Sequence, residues 1–322
     1  MERSGWNVPA DDSDADIKEP APGYVHLYDT GELQRRAAAL ARKLRRCRLC
    51  PRGCGVDRVA GEVGFCGVVS EPKVAAINLH HWEEPPISGT GGSGTIFFSG
   101  CTLKCVFCQN YPISQLGVGR TMGVEDLASG MLRLQKKGAH NINLVTSTHQ
   151  MSAVVEALLL AVPLGLRLPL VYNSSGYESI DTLRLLDGIV DIYLPDIKYS
   201  DSSIADRYSR APNYVRVNRK ALLEMWRQTG PVRMDGRGIA RRGMIVRHMV
   251  LPEGLSGTEQ SLSFLAGEIG PEIWISLMNQ YFPAHEAHRL PPLNRKVTED
   301  EYEIAFGSLT ALGFSNGFVQ EC

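Results

Sequence analysis

The sequence predicts an α/β fold preceded by a small N-terminal module that carries four cysteines. From residue 93 onward, six short β-rich runs alternate with helical stretches, a pattern typical of parallel strands joined by right-handed crossovers. Upstream, four cysteines lie close together between residues 47 and 66, among several glycines. The chain has 322 residues, of which 43% are hydrophobic and 21% charged, so it can bury a sizeable core.

The predicted elements follow from hydrophobic periodicity and from turn residues. A helix should begin near Gly31 with Thr30 as its N-cap, and a strand should cover 73–79. The six principal strands are expected at 95–99, 141–145, 168–172, 190–194, 244–250 and 273–277. Helices are expected at 124–137, 152–160, 180–186, as a pair across 202–228, at 258–269 and at 297–312.

Four segments result from this pattern. Residues 1–30 are polar, with four aspartates in 11–16, and we expect a loosely docked arm. Residues 31–90 should form a helix and the four-cysteine module, and 91–290 the α/β body. Residues 291–322 should form a C-terminal helix and tail, in which Cys322 has no sequence neighbour to pair with and is expected to be incidental.

Composition narrows the classes of function. The formal net charge of −1 gives no electrostatic argument for a nucleic-acid partner or an anionic membrane. The N-terminal residues lack the apolar core of a secretion signal, and no apolar run is long enough to span a bilayer. Eight cysteines grouped as four, three and one argue against a secreted disulfide scaffold, so we expect a cytoplasmic protein.

The first cysteine group has the spacing of a compact tetrathiolate site. Cys47, Cys50 and Cys54 are followed by Cys66 after a loop that contains glycines. Glycine allows the tight turns that a backbone needs around a metal. The site could hold an auxiliary iron–sulfur cluster or a closed structural zinc ion, and the spacing does not decide between them.

The second group is a CxxxCxxC loop directly after the first principal strand. Cys101, Cys105 and Cys108 supply three soft thiolates, which suit iron–sulfur or zinc rather than a hard cation. A four-iron cluster with three protein ligands keeps one iron open to an outside ligand. A three-cysteine zinc site that lacks its fourth ligand is the structural alternative.

These residues resemble a known family. The CxxxCxxC spacing, with Phe107 before the third cysteine, resembles the signature of the radical S-adenosylmethionine (SAM) superfamily. The stretch 80–115 resembles the PflX-like branch, which is related to pyruvate formate-lyase-activating enzyme, and the likeness extends over roughly 47–288. It implies a partial (βα)₆ TIM-type barrel and a [4Fe–4S] cluster on the three cysteines. It also implies reductive cleavage of SAM to a 5′-deoxyadenosyl radical that abstracts a hydrogen atom.

The resemblance also suggests which residues bind SAM. In parallel barrels, functional groups gather where the strands end. This chain departs from the activating enzymes at two places. The segment after the second strand lacks the glutamate that those enzymes carry there. Asn173 stands where those enzymes have an acid beside a monovalent cation. The resulting cofactor-binding residues are Phe107, Thr146, Thr148, Asn173, Ser175, Asp196 and Lys198. We assign no catalytic residue.

Substrate determinants should lie in three regions: the N-terminal module, His80-His81-Trp82, and the segment 279–285 after the sixth strand. Adjacent histidines on a strand point to opposite faces, which makes them a poor metal chelate. Contact with the substrate or with the cysteine loop is the favoured interpretation of these two histidines.

Three functions remain open. The first is activation of a glycyl-radical enzyme, with flavodoxin or ferredoxin as the electron donor. The second is modification of a small molecule or of another protein side chain. The third is a non-catalytic, zinc-binding scaffold.

Overall fold

The computed structural model describes residues 21–320, and its order of elements matches an alternating α/β chain. The helices are α1 Gly23–Asp29, α2 Glu32–Arg42, α3 Pro85–Ser88, α4 Tyr111–Ser114, α5 Val124–Lys136, α6 Met151–Ala161, α7 Ile180–Leu183, α8 Ser202–Ser209, α9 Tyr214–Thr229, α10 Thr258–Glu268 and α11 Glu299–Ala311. The strands are β1 Lys73–His80, β2 Ser93–Phe98, β3 Arg120–Thr121, β4 Ile142–Val145, β5 Leu170–Ser174, β6 Ile192–Pro195, β7 Arg233–Met234, β8 Ala240–Met249, β9 Trp274–Met278 and β10 Gly317–Val319.

Within the described residues, one sheet contains all ten strands. Its order is β10-β9-β8-β6-β5-β4-β2-β1-β3, with β7 paired to β8. The six predicted principal strands, β2, β4, β5, β6, β8 and β9, are neighbours in this order and all run parallel. The fold is therefore α/β with a mostly parallel sheet, consistent with the predicted partial TIM-type barrel.

The main core lies between the sheet and its helices. On α5, Leu127, Met131 and Leu134 recur at helical spacing and are all buried. They pack with the outward-facing strand residues Ile96 and Leu144 in one large cluster. The alternate strand residues face the other side, so each strand offers its second set of side chains to the barrel interior.

The loop between β1 and β2 fills part of that interior. Strand β1 runs antiparallel to β2, with His80 opposite Ser93, so this loop begins at the end of β2 that lies away from the cysteines. Ile87 on α3 is fully buried and packs with inward-facing Val171, Ile192 and Ile245. The same loop carries two carboxylates, Glu83 and Glu84, to the inner side of the sheet.

Several predictions about the N-terminal half are wrong. Thr30 does not cap α2: its N-cap is Gly31, and Thr30 ends α1. The predicted polar arm is too long, because α1 forms within it and Tyr24 is fully buried. Residues 1–20 of the predicted arm lie outside the described residues.

The predicted segments share secondary structure. On either side of residue 90, β1 and β2 are hydrogen-bonded in the same sheet. The C-terminal segment contributes a strand besides its helix, since β10 pairs in parallel with β9. Cys322 lies outside the described residues. No helix between residues 21 and 320 combines the length and the apolar character needed to cross a membrane.

Candidate active site

The CxxxCxxC loop begins directly after β2 and is held on two sides by backbone hydrogen bonds. The amides of Lys104 and Val106 donate to the carbonyls of Ser209 and Tyr208, at 3.1 and 2.9 Å, at the end of α8. The Val106 carbonyl accepts from the amides of Glu286 and Ala287. These contacts fix the loop between the barrel and the segment that follows β9.

Each of the three thiols has a hydrogen-bonding neighbour. The Leu103 amide donates to Cys101 Sγ at 3.3 Å, and the Ser209 hydroxyl donates to Cys105 Sγ at 3.0 Å. Cys108 Sγ and Ser114 Oγ lie 3.2 Å apart. Such neighbours stabilise negative charge on sulfur once the thiols lose their protons.

Burial keeps protons on two of these thiols, Cys101 and Cys105, when no metal is bound. Burial raises the pKa of Cys101 to about 12 and that of Cys105 to about 11, although Lys198 acts to lower the latter. Metal ions and clusters bind thiolates and displace such protons. A group of half-buried thiols, each with a hydrogen-bonding neighbour at sulfur, therefore fits a bound iron–sulfur cluster.

The predicted residues at the ends of β5 and β6 meet in one ionic cluster. Lys198 Nζ donates to Asp196 at 2.6 Å, and Arg247 Nε donates to the other carboxylate oxygen of Asp196 at 3.1 Å. Arg247 also donates to Asn173 Oδ1 at 2.6 Å and lies 3.6 Å from Glu83. Asn173, Asp196 and Lys198 are thus brought together as predicted.

Electrostatics keeps this cluster charged. Burial alone would raise the pKa of Asp196, but neighbouring Lys198 and Arg247 outweigh it and lower that pKa. Burial likewise opposes ionisation of Glu83, while its bond to His80 and the charge of Arg247 lower the pKa of Glu83 overall. The cluster therefore offers paired charges to a polar ligand near the strand ends.

Buried polar atoms without hydrogen-bond partners occur on the side chains of Glu84, Asn143 and Gln150. Glu84 Oε2, both polar atoms of the Asn143 side chain, and both polar atoms of the Gln150 side chain have no hydrogen-bond partner among the described residues. Each of these side chains is buried. Buried polar atoms in this state are rare and call for a ligand or ordered water.

SAM contacts are expected at Thr146 and Thr148 in the segment after β4, and the two residues differ in backbone conformation and exposure. Thr146 has a φ of 58°, which is unusual for a β-branched residue and typical of strained functional positions. Thr148 is 2% exposed, and its hydroxyl donates to Glu178 at 2.7 Å. Only Thr146 of the two is therefore partly open to solvent, and both stay predictions as SAM contacts.

Glu178 is a buried carboxyl group that sequence reasoning missed. Its second oxygen accepts a hydrogen bond from the Tyr172 hydroxyl at 2.9 Å. Burial raises the pKa of Glu178 to about 7. Ser175, the remaining predicted contact on this side, is half-buried, and its carbonyl accepts from the Tyr214 hydroxyl at 2.8 Å.

The segment after β9 closes against the cysteine loop. Phe107 is buried, with its ring centroid 5.8 Å from that of Tyr281. His285 stacks on Tyr111 at 4.7 Å, and Gln109 donates to the Gln280 carbonyl at 2.9 Å. The segment 279–285 is thus next to the loop, and its role as a wall of the substrate pocket stays a prediction.

His80 and Trp82 lie elsewhere. His80 is at the opposite end of β2 from the cysteine loop, and its ring is 3.4 Å from Glu83. That bond raises the pKa of His80. Trp82 is 89% exposed. The structure does not bring His80 to the cysteine loop, because β1 is antiparallel to β2, a direction the sequence pattern did not reveal.

The four-cysteine loop packs against the CxxxCxxC loop. Arg52 donates to the Thr102 carbonyl at 2.9 Å, and its guanidinium lies over the Phe65 ring at 3.7 Å. A side chain at Gly100, whose φ is 83°, would meet the Cys66 carbonyl at 2.4 Å. The two cysteine groups are therefore neighbours in space, although 34 residues, which include β1 and β2, lie between Cys66 and Cys101 in the sequence.

Within the four-cysteine loop, Cys54 is exposed and the other three thiols are buried. Burial, together with neighbouring Cys66 and Cys47, raises the pKa of Cys50 to about 12. Burial also raises the pKa of Cys66, to which Cys47 and Cys54 contribute. Cys66 thus lies within electrostatic reach of each of the other three thiols, and a shared metal site on the four stays a prediction.

Neither cysteine group has the geometry of a single-ion site. Across residues 21–320, no three His, Cys, Asp or Glu side chains converge as ligands of one metal ion would. A [4Fe–4S] cluster makes a different demand, since each thiolate binds a different iron. Zinc at the four-cysteine loop would require the thiols to turn toward a common centre.

Comparison with known proteins identifies relatives of this site. A model of the Radical SAM superfamily matches residues 95–234, which include the CxxxCxxC loop and the ends of β4, β5 and β6. An uncharacterized protein of Methanocaldococcus jannaschii is 30% identical over 270 residues, which cover 80% of this chain and 72% of that protein.

Two solved structures are also similar. A domain of a pyruvate-formate lyase-activating enzyme from Bacteroides vulgatus has a TM-score of 0.35 and 16% identity, covering 62% of this chain and 91% of that one. Native anSMEcpe with bound AdoMet has a TM-score of 0.47 and 11% identity, covering 66% of this chain and 57% of that one.

Proposed function

This chain belongs to the radical SAM superfamily, and from that membership we propose that Cys101, Cys105 and Cys108 hold a [4Fe–4S] cluster for reductive cleavage of SAM. When bound, the cluster and SAM supply one-electron cleavage of the sulfonium C–S bond, which gives methionine and a 5′-deoxyadenosyl radical that abstracts a hydrogen atom. The observation that carries the proposal is the loop of three half-buried thiols, each with a hydrogen-bonding neighbour, beside charged strand ends.

The chain's own residues bind and orient. The Ser209 hydroxyl and the Leu103 amide stabilise thiolate charge on Cys105 and Cys101. Lys198 and Arg247 present positive charge that suits the methionyl carboxylate, and Asp196 offers an oxygen to a ribose hydroxyl. The packing of Phe107 on Tyr281 excludes water from one side of the loop.

The four-cysteine loop is proposed to bind a second metal centre, either an iron–sulfur cluster or zinc. Three of its thiols are buried, and Arg52 connects it to the CxxxCxxC loop. Two metal centres in adjacent loops would stabilise the same part of the molecule. Measuring the iron, sulfide and zinc content of the protein distinguishes an iron–sulfur cluster from zinc at this loop.

For the substrate, we propose a glycyl-radical enzyme as the first candidate, with flavodoxin or ferredoxin as the electron donor. The support is the resemblance of residues 80–115 to the activating enzymes. A small molecule or another protein side chain is the alternative. The electron paramagnetic resonance (EPR) spectrum separates them, because a glycine-centred radical gives a doublet on the partner protein.

The test uses anaerobically reconstituted protein and a Cys101→Ala/Cys105→Ala/Cys108→Ala variant. We expect four irons and four sulfides at this loop and release of 5′-deoxyadenosine. The reduced protein should give an EPR signal that SAM perturbs. The triple variant should lose all three properties of this loop and keep whatever metal the four-cysteine loop binds. Zinc as the sole metal, with no 5′-deoxyadenosine, would make the protein a zinc-binding scaffold instead.

A further inference from the structure

A cavity lies at the end of the sheet opposite the cysteine loop. Its volume is about 440 Å³. Asp191 and Pro169 in its lining directly precede β6 and β5, while Arg241 and Arg242 lie near the start of β8. In a parallel sheet these are the amino ends of the strands, whereas the CxxxCxxC loop follows a carboxyl end. The cavity is therefore separate from the proposed SAM site.

The lining is strongly basic. Four arginines contribute to it, namely Arg167, Arg233, Arg241 and Arg242. Arg241 pairs with Asp235 at 2.7 Å. The side-chain hydrogen bonds of Arg167 and Arg242 go to backbone carbonyls, which carry no formal charge. Arg233 is exposed, and no carboxylate among residues 21–320 pairs with it.

The one acid in the lining is occupied by backbone groups. Asp191 Oδ1 accepts from the Gly23 amide at 3.0 Å, and Oδ2 accepts from the Leu170 amide at 2.9 Å. Asp191 thus ties α1 to the amino end of β5, and burial raises its pKa to about 6. Its carboxylate also interacts with Arg242, so it offsets part of the charge of the four arginines and leaves the lining with an excess of positive charge.

We propose that this cavity is an anion-binding site that takes a phosphate- or carboxylate-bearing ligand. Guanidinium groups donate paired hydrogen bonds to phosphate and carboxylate oxygens, and several of them on one concave surface favour a multiply charged anion. A volume of about 440 Å³ is within the range of small-ligand pockets.

Two sources supply this chemistry. One is a free anion. The other is the chain itself, because residues 11–16 contain four aspartates and Ala21 belongs to the cavity lining. Five residues span up to roughly 17 Å when extended, and tethering over so short a distance gives an effective concentration on the order of millimolar. The test must therefore include a chain without those carboxylates.

The probe is pyrophosphate, measured by calorimetric titration and thermal unfolding at about 50 mM salt in a buffer free of phosphate. Four full-length variants are compared with the wild type. Arg233→Gln removes an exposed guanidinium that pairs with no carboxylate of residues 21–320, so it leaves the fold intact, and Arg233→Gln/Arg242→Gln removes two guanidinium groups. Arg133→Gln, exposed on α5, is the matched control. Asp11→Asn/Asp12→Asn/Asp14→Asn/Asp16→Asn removes the competing carboxylates.

We expect pyrophosphate to raise the Tm by about 2 °C or more at saturation, and Arg233→Gln to weaken binding about tenfold. Equal binding to the wild type and the four-asparagine variant identifies a site for a free anion. If the four-asparagine variant binds pyrophosphate severalfold more tightly than the wild type does, the chain's own aspartates are the anion that occupies the cavity. The proposal is overturned if neither chain binds pyrophosphate, or if the double arginine variant binds it as well as Arg133→Gln does.

Discussion

At the scale of single residues, Arg247 organises the strand ends. It is the side chain that Asp196, Asn173 and Glu83 share, and these come from three different parts of the chain. Sequence reasoning found Asn173 and Asp196 because each follows a predicted strand. Arg247 lies within the strand expected at 244–250, and an arginine inside such a run is itself a signal, since buried arginines need partners. Glu83 could not be linked to Arg247, because they lie 164 positions apart in the sequence.

We predict that Arg247→Met lowers the free energy of unfolding by about 3 kcal/mol, because it removes one of the two charged partners of the buried Asp196 carboxylate and the ion pair with Glu83. Urea unfolding at pH 7 measures this change. Arg133→Met, which removes an exposed guanidinium from α5, is the control and should change stability by less than about 0.5 kcal/mol. Equal effects of the two substitutions would refute the role of Arg247.

A second residue, Glu178, makes stability depend on pH. Its pKa of about 7 in the folded state lies above the ordinary value of 4.5, so the native chain keeps a proton that the unfolded chain releases. Stability from this group is complete below pH 4.5 and is lost as the pH rises through 7. His149 and His248, whose pKa values burial lowers to about 4, act in the opposite sense between pH 6.5 and 4.

Comparison with Glu178→Gln isolates this contribution, because both chains contain the histidines. We predict that the variant gains stability relative to the wild type as the pH rises from 4.5 to 8, by on the order of 3 kcal/mol. Urea unfolding at several pH values gives the difference. The exposed Glu259→Gln should show no such trend, and a flat difference for Glu178→Gln would contradict the prediction.

At the scale of elements, Arg58 joins the four-cysteine loop to the barrel. It is 1% exposed, donates to the Val69 carbonyl at 2.6 Å, and donates to the His149 carbonyl at 2.7 Å. One side chain thus connects the end of the module with the segment after β4. The spacing of the cysteines predicted a compact loop, but the partner on the barrel is a backbone carbonyl, which carries no mark in the sequence.

We expect Arg58→Met to loosen this connection and to lower the free energy of unfolding by about 3 kcal/mol, because two buried carbonyls lose a charged donor. Hydrogen exchange should increase first in residues 47–69, and proteolysis should cut there before it cuts the barrel strands. Arg48→Met is the matched control, as Arg48 is an exposed residue of the same loop. Uniform exchange across the molecule would argue against a local connection.

At the scale of the whole molecule, the two cysteine groups belong to one site region. The four-cysteine loop contacts the CxxxCxxC loop through Arg52 and through the close approach of Cys66 and Gly100. Metal bound there would therefore stabilise the fold at the point where module and barrel meet. A metal or cluster that binds the folded state but not the unfolded state raises the melting temperature.

We predict that the reconstituted protein melts about 5 °C or more above the metal-free protein, measured anaerobically by calorimetry. Changing Cys47, Cys50, Cys54 and Cys66 to alanine should remove part of this gain, and changing the three CxxxCxxC cysteines should remove the rest. Cys322→Ala should leave both the metal content and the melting temperature unchanged. A gain that survives loss of both cysteine groups would show that metal stabilises the chain elsewhere.

The sequence by itself determined the order of the elements and the sites where thiols occur. Alternating apolar runs are local, and they predicted the six parallel strands within a few residues; cysteine spacing is local too, and it predicted both loops. Tertiary structure alone decided how β1 is directed, that its loop enters the barrel, and that Glu83, Asp196 and Arg247 meet. These outcomes depend on contacts between residues far apart in the chain, where sheet pairing and the pairing of buried charges, rather than local propensity, select the partner.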